Sequence, residues 1–373
     1  MINRNLSIDK QFLLTTIQLI AYGTLVMYSA SAHFAEVKFD SHYHYLLVHL
    51  KWLTIGFFAY QITSRLKYQK LKTIIPLIVF VTWIIVCLAF YFNPTNKPSR
   101  WLIINGTNWM TTSDLARVML IVYTAYFIDK YYKYIGDLKF MLTNFTIVPL
   151  VTLGLILMQP DLSSTIIIGL IILSMLLIAK VSYRYIGVII TIGAIFFSYQ
   201  ILTNKYMYNR LNTWVHSFQQ DSSYELDNQQ RKALMALGSG GITGKKLGNS
   251  KIKTGYLPAA HTDYILAIIG EEYGFLGISY LFFIFLMLFH LGIQAVKIST
   301  DRFSLFLSLG IIINLIFYFS INVAYVIGYA PNTGLSLPFI SYGGSNTIFT
   351  LAAIGLLINI SRNSLKLKTS KII

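Results

Sequence analysis

Of the 373 residues in this chain, 14 are acidic, and where they fall is the first chemical clue. Asp9, Asp129, Asp137 and Asp301 sit in connections rich in Lys and Arg. Glu36, Asp40, Asp221, Glu225 and Asp227 sit in the alternate connections. Asp114, Asp161, Asp263, Glu271 and Glu272 lie in or beside long apolar segments. A carboxylate in hydrocarbon is costly, so these five are expected to face a cavity or a protein partner.

Asp114 and Arg117 are three residues apart, which puts them on one helix face; an ion pair that neutralises both is the plain reading. Asp161 follows Gln159-Pro160, where an Asp caps a helix by accepting backbone N–H bonds. Lining a cavity is its rival role, and the two are compatible. Asp263 closes the run Leu257-Pro258-Ala259-Ala260-His261-Thr262-Asp263, at the end of a long basic connection. A carboxylate there can act as a general base, although on spacing alone an N-cap competes. Glu271 and Glu272 lie two turns further, about 12 Å at 1.5 Å per residue. A buried polar link between helices accounts for them.

Two glycine clusters stand out: Gly238-Ser239-Gly240-Gly241 with Gly244 and Gly248, and Ser341-Tyr342-Gly343-Gly344-Ser345. Successive N–H groups in such turns can cradle phosphate, but neither is a P-loop, and a tight turn is the simpler reading. His261 has no second histidine at metal-ligand spacing, which argues against a zinc site. The single cysteine, Cys87, excludes an internal disulfide and a cysteine-based metal site.

The elements that must position these residues are membrane spans. The chain is 55% hydrophobic and 12% charged, against about 25% charged in soluble domains. Apolar runs of about 20 residues are long enough to cross a bilayer. The predicted fold class is all-α: a polytopic membrane protein with ten spans, near 11–30, 44–63, 73–92, 114–128, 139–158, 163–179, 185–202, 264–291, 303–327 and 345–361. Ala30-Ser31-Ala32 resembles a signal-peptide cleavage site. The apolar stretch before it, Phe12 to Tyr28, exceeds the usual 7–15 residue core, so a retained first span is expected.

The net charge of +16 belongs to the flanks of these spans. No basic stripe with interleaved aromatics sits in a soluble segment, so nucleic acid is not an expected partner. One set of connections holds Arg65, Lys67, Lys70, Lys72, Lys130, Lys133, Lys139, Lys180, Arg184, Lys297, Arg302 and the basic residues of both termini. The short connections opposite hold only Lys38, Lys97 and Arg100. That bias places both termini in the cytoplasm. Residues 203–263 then form one long outer loop carrying Lys205, Arg210, Arg231, Lys232, Lys245, Lys246, Lys251 and Lys253. A basic loop over a carboxylate-lined patch suits an anionic lipid-linked substrate, or a transporter.

Several segments carry a resemblance, in this order: Met27-Tyr28-Ser29-Ala30-Ser31, Arg100-Trp101, Gln159-Pro160-Asp161-Leu162, Gly238-Ser239-Gly240-Gly241 with Gly248-Asn249-Ser250, Tyr256-Leu257-Pro258 with His261-Thr262-Asp263, Glu271-Glu272-Tyr273-Gly274, and Gly334-Leu335-Ser336-Leu337-Pro338-Phe339-Ile340-Ser341-Tyr342-Gly343-Gly344-Ser345. Together they resemble the SEDS family (shape, elongation, division and sporulation; FtsW, RodA and SpoVE), more FtsW-like than RodA-like. The resemblance runs over nearly the whole chain, as one SEDS-type membrane domain.

It implies ten spans and a peptidoglycan glycosyltransferase that polymerises lipid II at the outer face of the bacterial cytoplasmic membrane. Asp263 matches the family's essential aspartate and is the implied catalytic base. Arg100, Asp114, Arg117, Asp161, His261, Ser341, Gly343 and Gly344 are the implied substrate-binding set. The implied partner is a class B penicillin-binding protein, a single-span transpeptidase. The resemblance fixes no cofactor; Arg100, the loop cations or a divalent ion (Mg or Mn) are open choices for neutralising the departing undecaprenyl diphosphate. The sequence departs from the family at Thr111-Thr112-Ser113-Asp114, where Gln-Pro-Ser-Glu is usual, and at His49, Lys232 and Ala259. A lipid II flippase or a non-catalytic scaffold are the rival readings.

The charge bias generates the first prediction. A reporter active only outside the cytoplasm is expected to work when fused at residue 225 and to fail at residues 135 and 298. Equal activity at 225 and 298 would sink the ten-span topology.

Overall fold

The computed structural model describes residues 2–92, 100–104, 107–203, 205–217, 228–250, 253 and 260–370. Lys97, Asp221, Glu225, Asp227, Lys251, Tyr256, Leu257, Pro258, Ala259 and Lys371 lie outside the described residues. Each of the ten expected segments is helical. In chain order the elements are α1 (Ile2–Phe39), α2 (His44–Arg65), α3 (Leu71–Phe92), β1 (Trp101–Ile104), β2 (Thr107–Thr111), α4 (Thr112–Lys130), α5 (Leu138–Phe145), α6 (Ile147–Met158), α7 (Leu162–Ile178), α8 (Tyr183–Thr203), α9 (Lys205–Ser217), α10 (Asn228–Ser239), α11 (Ile265–Ile298), α12 (Arg302–Val326) and α13 (Gly344–Ser370).

Among the described residues, six helices are long and apolar enough to cross a membrane: α1, α3, α8, α11, α12 and α13. The bent pair α5–α6 makes a seventh if it is one span. Apolar length makes this a multi-pass membrane protein, because a helix satisfies its own backbone in hydrocarbon. α2 and α4 fall short on apolarity and α7 on length, so the structure does not establish ten crossings.

Two features differ from the sequence reading. The expected fifth span is bent by 51° between α5 and α6. Residues Met141–Phe145 form a π-helical turn, and Thr146 N–H bonds to the Met141 carbonyl at 3.2 Å; π-turns are a recognised cause of sharp kinks. The connection before α4 holds an unforeseen antiparallel hairpin, β1–β2, with an irregularity between Leu102 and Ile103. The long connection 203–263 carries two helices, α9 and α10, in keeping with its length, since so long a loop is rarely structureless in a compact protein.

The glycine-rich segment after α10 docks into a break in α11. At Gly274 the backbone turns to φ 64° and ψ −158°, which interrupts the helix. The Glu271 and Glu272 carbonyls lose their helical donors and accept instead from Lys245 N (2.9 Å) and Lys246 N (3.0 Å). The Phe275 and Leu276 amides donate to the carbonyls of Gly241 (2.9 Å) and Ile242 (3.1 Å). A side chain at Gly244 would meet the Glu272 carbonyl oxygen at 2.2 Å, so only glycine admits this approach. The buried carboxylates complete the dock. Glu271 accepts from Lys245 Nζ at 2.8 Å and from the Ser250 hydroxyl. Glu272 accepts from Lys253 Nζ (2.8 Å), from Ser29 Oγ (2.7 Å) and from Gly248 N (3.2 Å). Glu272, through Ser29 of α1, makes the expected polar link between helices, whereas Glu271 ties α11 to the inserted segment, and the first glycine cluster serves packing.

Gly274→Ala tests the dock. A non-glycine residue at this φ and ψ costs about 1–3 kcal/mol, and its Cβ would lie 2.4 Å from Gly244 N. The purified variant is expected to unfold at a clearly lower temperature in detergent. An unchanged melting temperature would mean the inserted segment detaches freely.

Candidate functional site

Around Asp263 the structure opens a polar cavity of about 390 Å³. It is built where the starts of four helices converge. α4 contributes Ser113 and Asp114, α7 Ser164 with Asp161 just before it, α13 Gly344, Ser345 and Asn346, and the turn before α11 Thr262 and Asp263. Helix N-termini carry partial positive charge and unbonded N–H groups. They support the carboxylates gathered there and favour an anionic ligand. Arg100, Trp101, Trp109 and Met110 of the hairpin region and Trp52 of α2 close one side, and the link 333–336 another.

The floor is a continuous hydrogen-bonded network. Asp161 caps α7, its Oδ1 accepting from Ser164 N at 3.2 Å, while Oδ2 accepts from Ser113 Oγ at 2.9 Å. Capping and cavity lining thus coexist. Asp114 accepts from Ser345 Oγ at 2.6 Å and pairs with Arg117 at 3.4 Å. Arg117 is fully buried beneath the cavity. Its guanidinium lies 4.1 Å from the centre of the Tyr318 ring and donates to Asn346 Oδ1 at 2.9 Å. Thr112 and Ser113 bond Gln159 Oε1 (2.7 Å) and Asp161.

Asp263 is not a helix cap. Tyr264 occupies the position before α11, and no side chain caps that helix. The Asp263 peptide is instead gripped from α12. Its carbonyl accepts from Asn322 Nδ2 at 3.1 Å and from the Tyr325 hydroxyl. The same two donors hold the Leu335 carbonyl, at 2.7 and 3.1 Å. The base loop and the 333–336 link are thereby locked together. Burial pushes the Asp263 carboxyl above the usual carboxylate range, and the charge of Arg100 opposes that shift.

Of the residues singled out in the sequence, Arg100, Asp114, Asp161, Asp263, Gly343 and Gly344 meet at this cavity. Arg117, His261 and Ser341 do not reach its wall. The His261 ring packs among Tyr45 (4.8 Å), Phe34 (5.7 Å) and Tyr342 (5.8 Å). Burial, with Lys38 adding to it, pushes its pKa down to about 4. Its backbone carbonyl accepts from Tyr342 N at 2.9 Å, so it ties the base loop to the second glycine cluster. Ser341 Oγ accepts from Leu337 N at 2.9 Å and closes a turn. Among the described residues no group of three His, Cys, Asp or Glu side chains is placed to hold a metal ion.

The chain matches the family model of FtsW, RodA and SpoVE, described as cell cycle proteins, over residues 10–366. It belongs to this family. A probable peptidoglycan glycosyltransferase FtsW from Geobacter metallireducens is 32% identical, over 95% of this chain and 94% of that protein. The protein of the same name from Coxiella burnetii is 31% identical, over 95% and 96%. Among solved structures, a chain of a peptidoglycan synthase complex superposes with a TM-score of 0.72 at 19% identity, covering 94% of this chain and 97% of that one. The rod shape determining protein RodA of Thermus thermophilus superposes at 0.65, also at 19% identity, covering 94% and 96%. These structural likenesses establish the shared SEDS fold.

Sequence reasoning on this family member missed Asn322, Tyr325, Tyr318, Asn346 and Trp52. Asn322 and Asn346 sit in largely apolar helices, where a polar amide is a usable signal that a buried partner exists. The hairpin had its own signal, an Asn105-Gly106 pair between apolar stretches.

The opposing effects on Asp263 make a sign-definite prediction. Burial raises its pKa and Arg100 lowers it, so Arg100→Ala is expected to raise it further. The carboxylate then forms only at higher pH. Infrared difference spectra can follow the protonated C=O stretch, assigned by its loss in Asp263→Asn. A titration unmoved or shifted to lower pH in Arg100→Ala would refute the coupling.

Proposed function

We propose that this protein is a peptidoglycan glycosyltransferase that polymerises lipid II, with Asp263 as the general base. The observation that carries the reading is the setting of Asp263. It is a carboxylate with no capping duty, in the wall of a polar cavity among converging helix starts, within the electrostatic reach of Arg100. The names of the curated relatives support the same reaction class.

In the proposed reaction the Asp263 carboxylate takes the proton of the acceptor sugar's 4-hydroxyl. That oxygen attacks the donor's anomeric carbon from the face opposite the leaving group. A new carbon–oxygen bond forms as the bond to undecaprenyl diphosphate breaks, the diphosphate keeps the electron pair, and the configuration inverts. Charge develops on the leaving phosphate oxygen, where a fixed guanidinium is most effective. Arg100, which lines the cavity, is the proposed source of that stabilisation. Asp114 and Arg117 hold the α4 and α13 starts in register, and Asp161 holds α7. No step is assigned to a metal.

The site would face the outer side of the bacterial cytoplasmic membrane, with both termini inside, as the charge bias favours. The proposed role is in cell division or cell-shape maintenance, alongside a class B penicillin-binding protein. A carboxylate at a helix start favours sugar chemistry over transport, since a transport carboxylate can sit mid-span.

The test is glycan-strand formation from lipid II by the purified protein, with and without such a partner. Asp263→Asn keeps shape and removes basicity. Polymerisation is expected to fall by about 10²–10⁴-fold, the usual contribution of a general base, with melting temperature near wild type. Asp161→Asn is expected to be milder, because Asn and Asp cap almost equally well. Copurification with the partner should survive both changes. An Asp263→Asn protein that polymerises normally excludes the base role and leaves the flippase or scaffold readings.

A further inference from the structure

Three helices that meet near the cavity also share the opposite end of the bundle. α4 runs from Ser113 and Asp114 at the cavity to Lys130, and α7 from Ser164 to Ile178, with Lys180 just beyond. α12 runs the other way, from Arg302 to the Tyr325 that holds the Asp263 carbonyl. At the far end, connections distant in sequence are tied to one another. Ser182 N donates to the Ile135 carbonyl at 3.4 Å, which joins the α7–α8 turn to the loop after α4. The hydroxyls of Tyr185 and Thr146, 2.9 Å apart, fasten the start of α8 to the α5–α6 bend. The Arg302 guanidinium lies over the Tyr132 ring, 4.0 Å from its centre, and joins α12 to the same loop.

This end is a patch of uncompensated positive charge. Lys130, Lys133, Lys139, Lys180, Arg184 and Arg302 are all exposed. The acids nearby are engaged elsewhere. Asp129 and Asp301 lie 2.6 and 3.9 Å from Lys72, Asp301 also accepts from the Tyr68 hydroxyl at 2.7 Å, and Asp137 accepts from Lys139 N at 2.9 Å. Among the described residues no ion pair involves any of the six cations. Lys180 stands at φ 60° just past the end of α7, where glycine or asparagine is the usual choice. A lysine there accepts backbone strain, and such strain collects at functional positions.

The surroundings of the patch are those of a membrane surface. Tyr132, Tyr134 and Tyr183 are exposed beside the cations, Tyr183 to 86%, and tyrosine is enriched where a bilayer meets water. Beyond the 51° bend, α6 exposes Ile147, Leu150 and Val151. Cations at the end of a span with apolar side chains below them match a lipid whose phosphate is at the surface and whose acyl chains lie in the bilayer. A water-soluble acidic segment would match the cations alone. A guanidinium suits a phosphate because it can donate two parallel hydrogen bonds.

We infer that this patch is a binding site for an anionic phospholipid, with the phosphate facing Lys180, Arg184 and Arg302 and the acyl chains lying along α6. In the proposed orientation the lipid belongs to the inner leaflet, at the other end of the helices that build the cavity. By bridging the ends of α4, α7 and α12 it stabilises the folded bundle. The inference does not depend on the reaction performed at the cavity.

The experiment is thermal unfolding of the full-length chain, delipidated in detergent and titrated with dioleoylphosphatidylglycerol or, in parallel, dioleoylphosphatidylcholine. A ligand that binds only the folded state raises the unfolding temperature. Phosphatidylglycerol is expected to raise it saturably, and phosphatidylcholine to leave it unmoved. Lys180→Asn removes a charge and suits the left-handed turn. Combined with Arg184→Gln and Arg302→Gln, it is expected to weaken phosphatidylglycerol about a hundredfold, three charges at about fivefold each. Lys180→Asn alone, expected to cost about fivefold, covers the case in which the triple variant does not fold. Lys10→Gln with Arg65→Gln, which removes exposed charge at the same end of the bundle but away from the patch, should leave the titration within about twofold. Equal responses to the two lipids, a response that the patch variants retain, or an equal loss in the Lys10 and Arg65 variant overturns the site. Saturation by glycerol 3-phosphate or by polyglutamate at equal charge would assign the patch to a soluble anion or an acidic protein, and also overturns it. All of these outcomes leave the reading of the cavity standing.

Discussion

A backbone group buried in hydrocarbon must have a partner, and this constraint organises the protein around the break in α11. An unsatisfied N–H or C=O in the bilayer costs several kcal/mol, and the turn at Gly274 strips partners from two carbonyls and two amides. Residues 241–246 restore all four. That repair pins the second half of the long connection to the bundle, and Glu271 and Glu272 reinforce it with Lys245 and Lys253. Removing one member of a buried ion pair typically costs about 3–5 kcal/mol, so the dock is cooperative. Lys253 is ten residues before Asp263, and the connection reaches the cavity already anchored.

The same constraint operates at the cavity. The carbonyls of Asp263 and Leu335 come from separate loops and share Asn322 and Tyr325 as donors. Two buried acceptors facing each other would repel without those donors. With them, the carboxylate and the opposite rim hold one spacing. Gln230 then ties α10 to the Tyr325 carbonyl, so the helices of the long connection and the base loop meet on the last turn of α12.

The cavity concentrates polarity that the membrane elsewhere excludes. Serines 113, 164 and 345 bridge between carboxylates and helix starts over distances of 2.6–3.2 Å. Each satisfies an acid without cancelling its charge. Arg117 is the exception, a buried cation that neutralises Asp114 and rests on Tyr318. Of the aspartates on the cavity, Asp114 is paired and Asp161 caps a helix, which leaves Asp263 as the one held through its backbone.

Apolar length determined the long helical segments α1, α3, α8, α11, α12 and α13, because a run of about 20 such residues has only one way to satisfy its backbone in lipid. The placement of Asp114 beside Arg117, and of Asp161 as a cap, was equally legible, since both depend on residues a few positions apart. The grip of Asn322 and Tyr325 on Asp263, the burial of His261 among Phe34, Tyr45 and Tyr342, and the turn closed by Ser341 were not. In a helix that is apolar all round, no periodic pattern says which face meets which neighbour. In a loop, the direction of a side chain is set by elements far away in sequence. Local chemistry could name the acids and the spans. Only packing between α11, α12 and the 333–336 link decided which carboxylate was left free of structural duty and which arginine stands beside it.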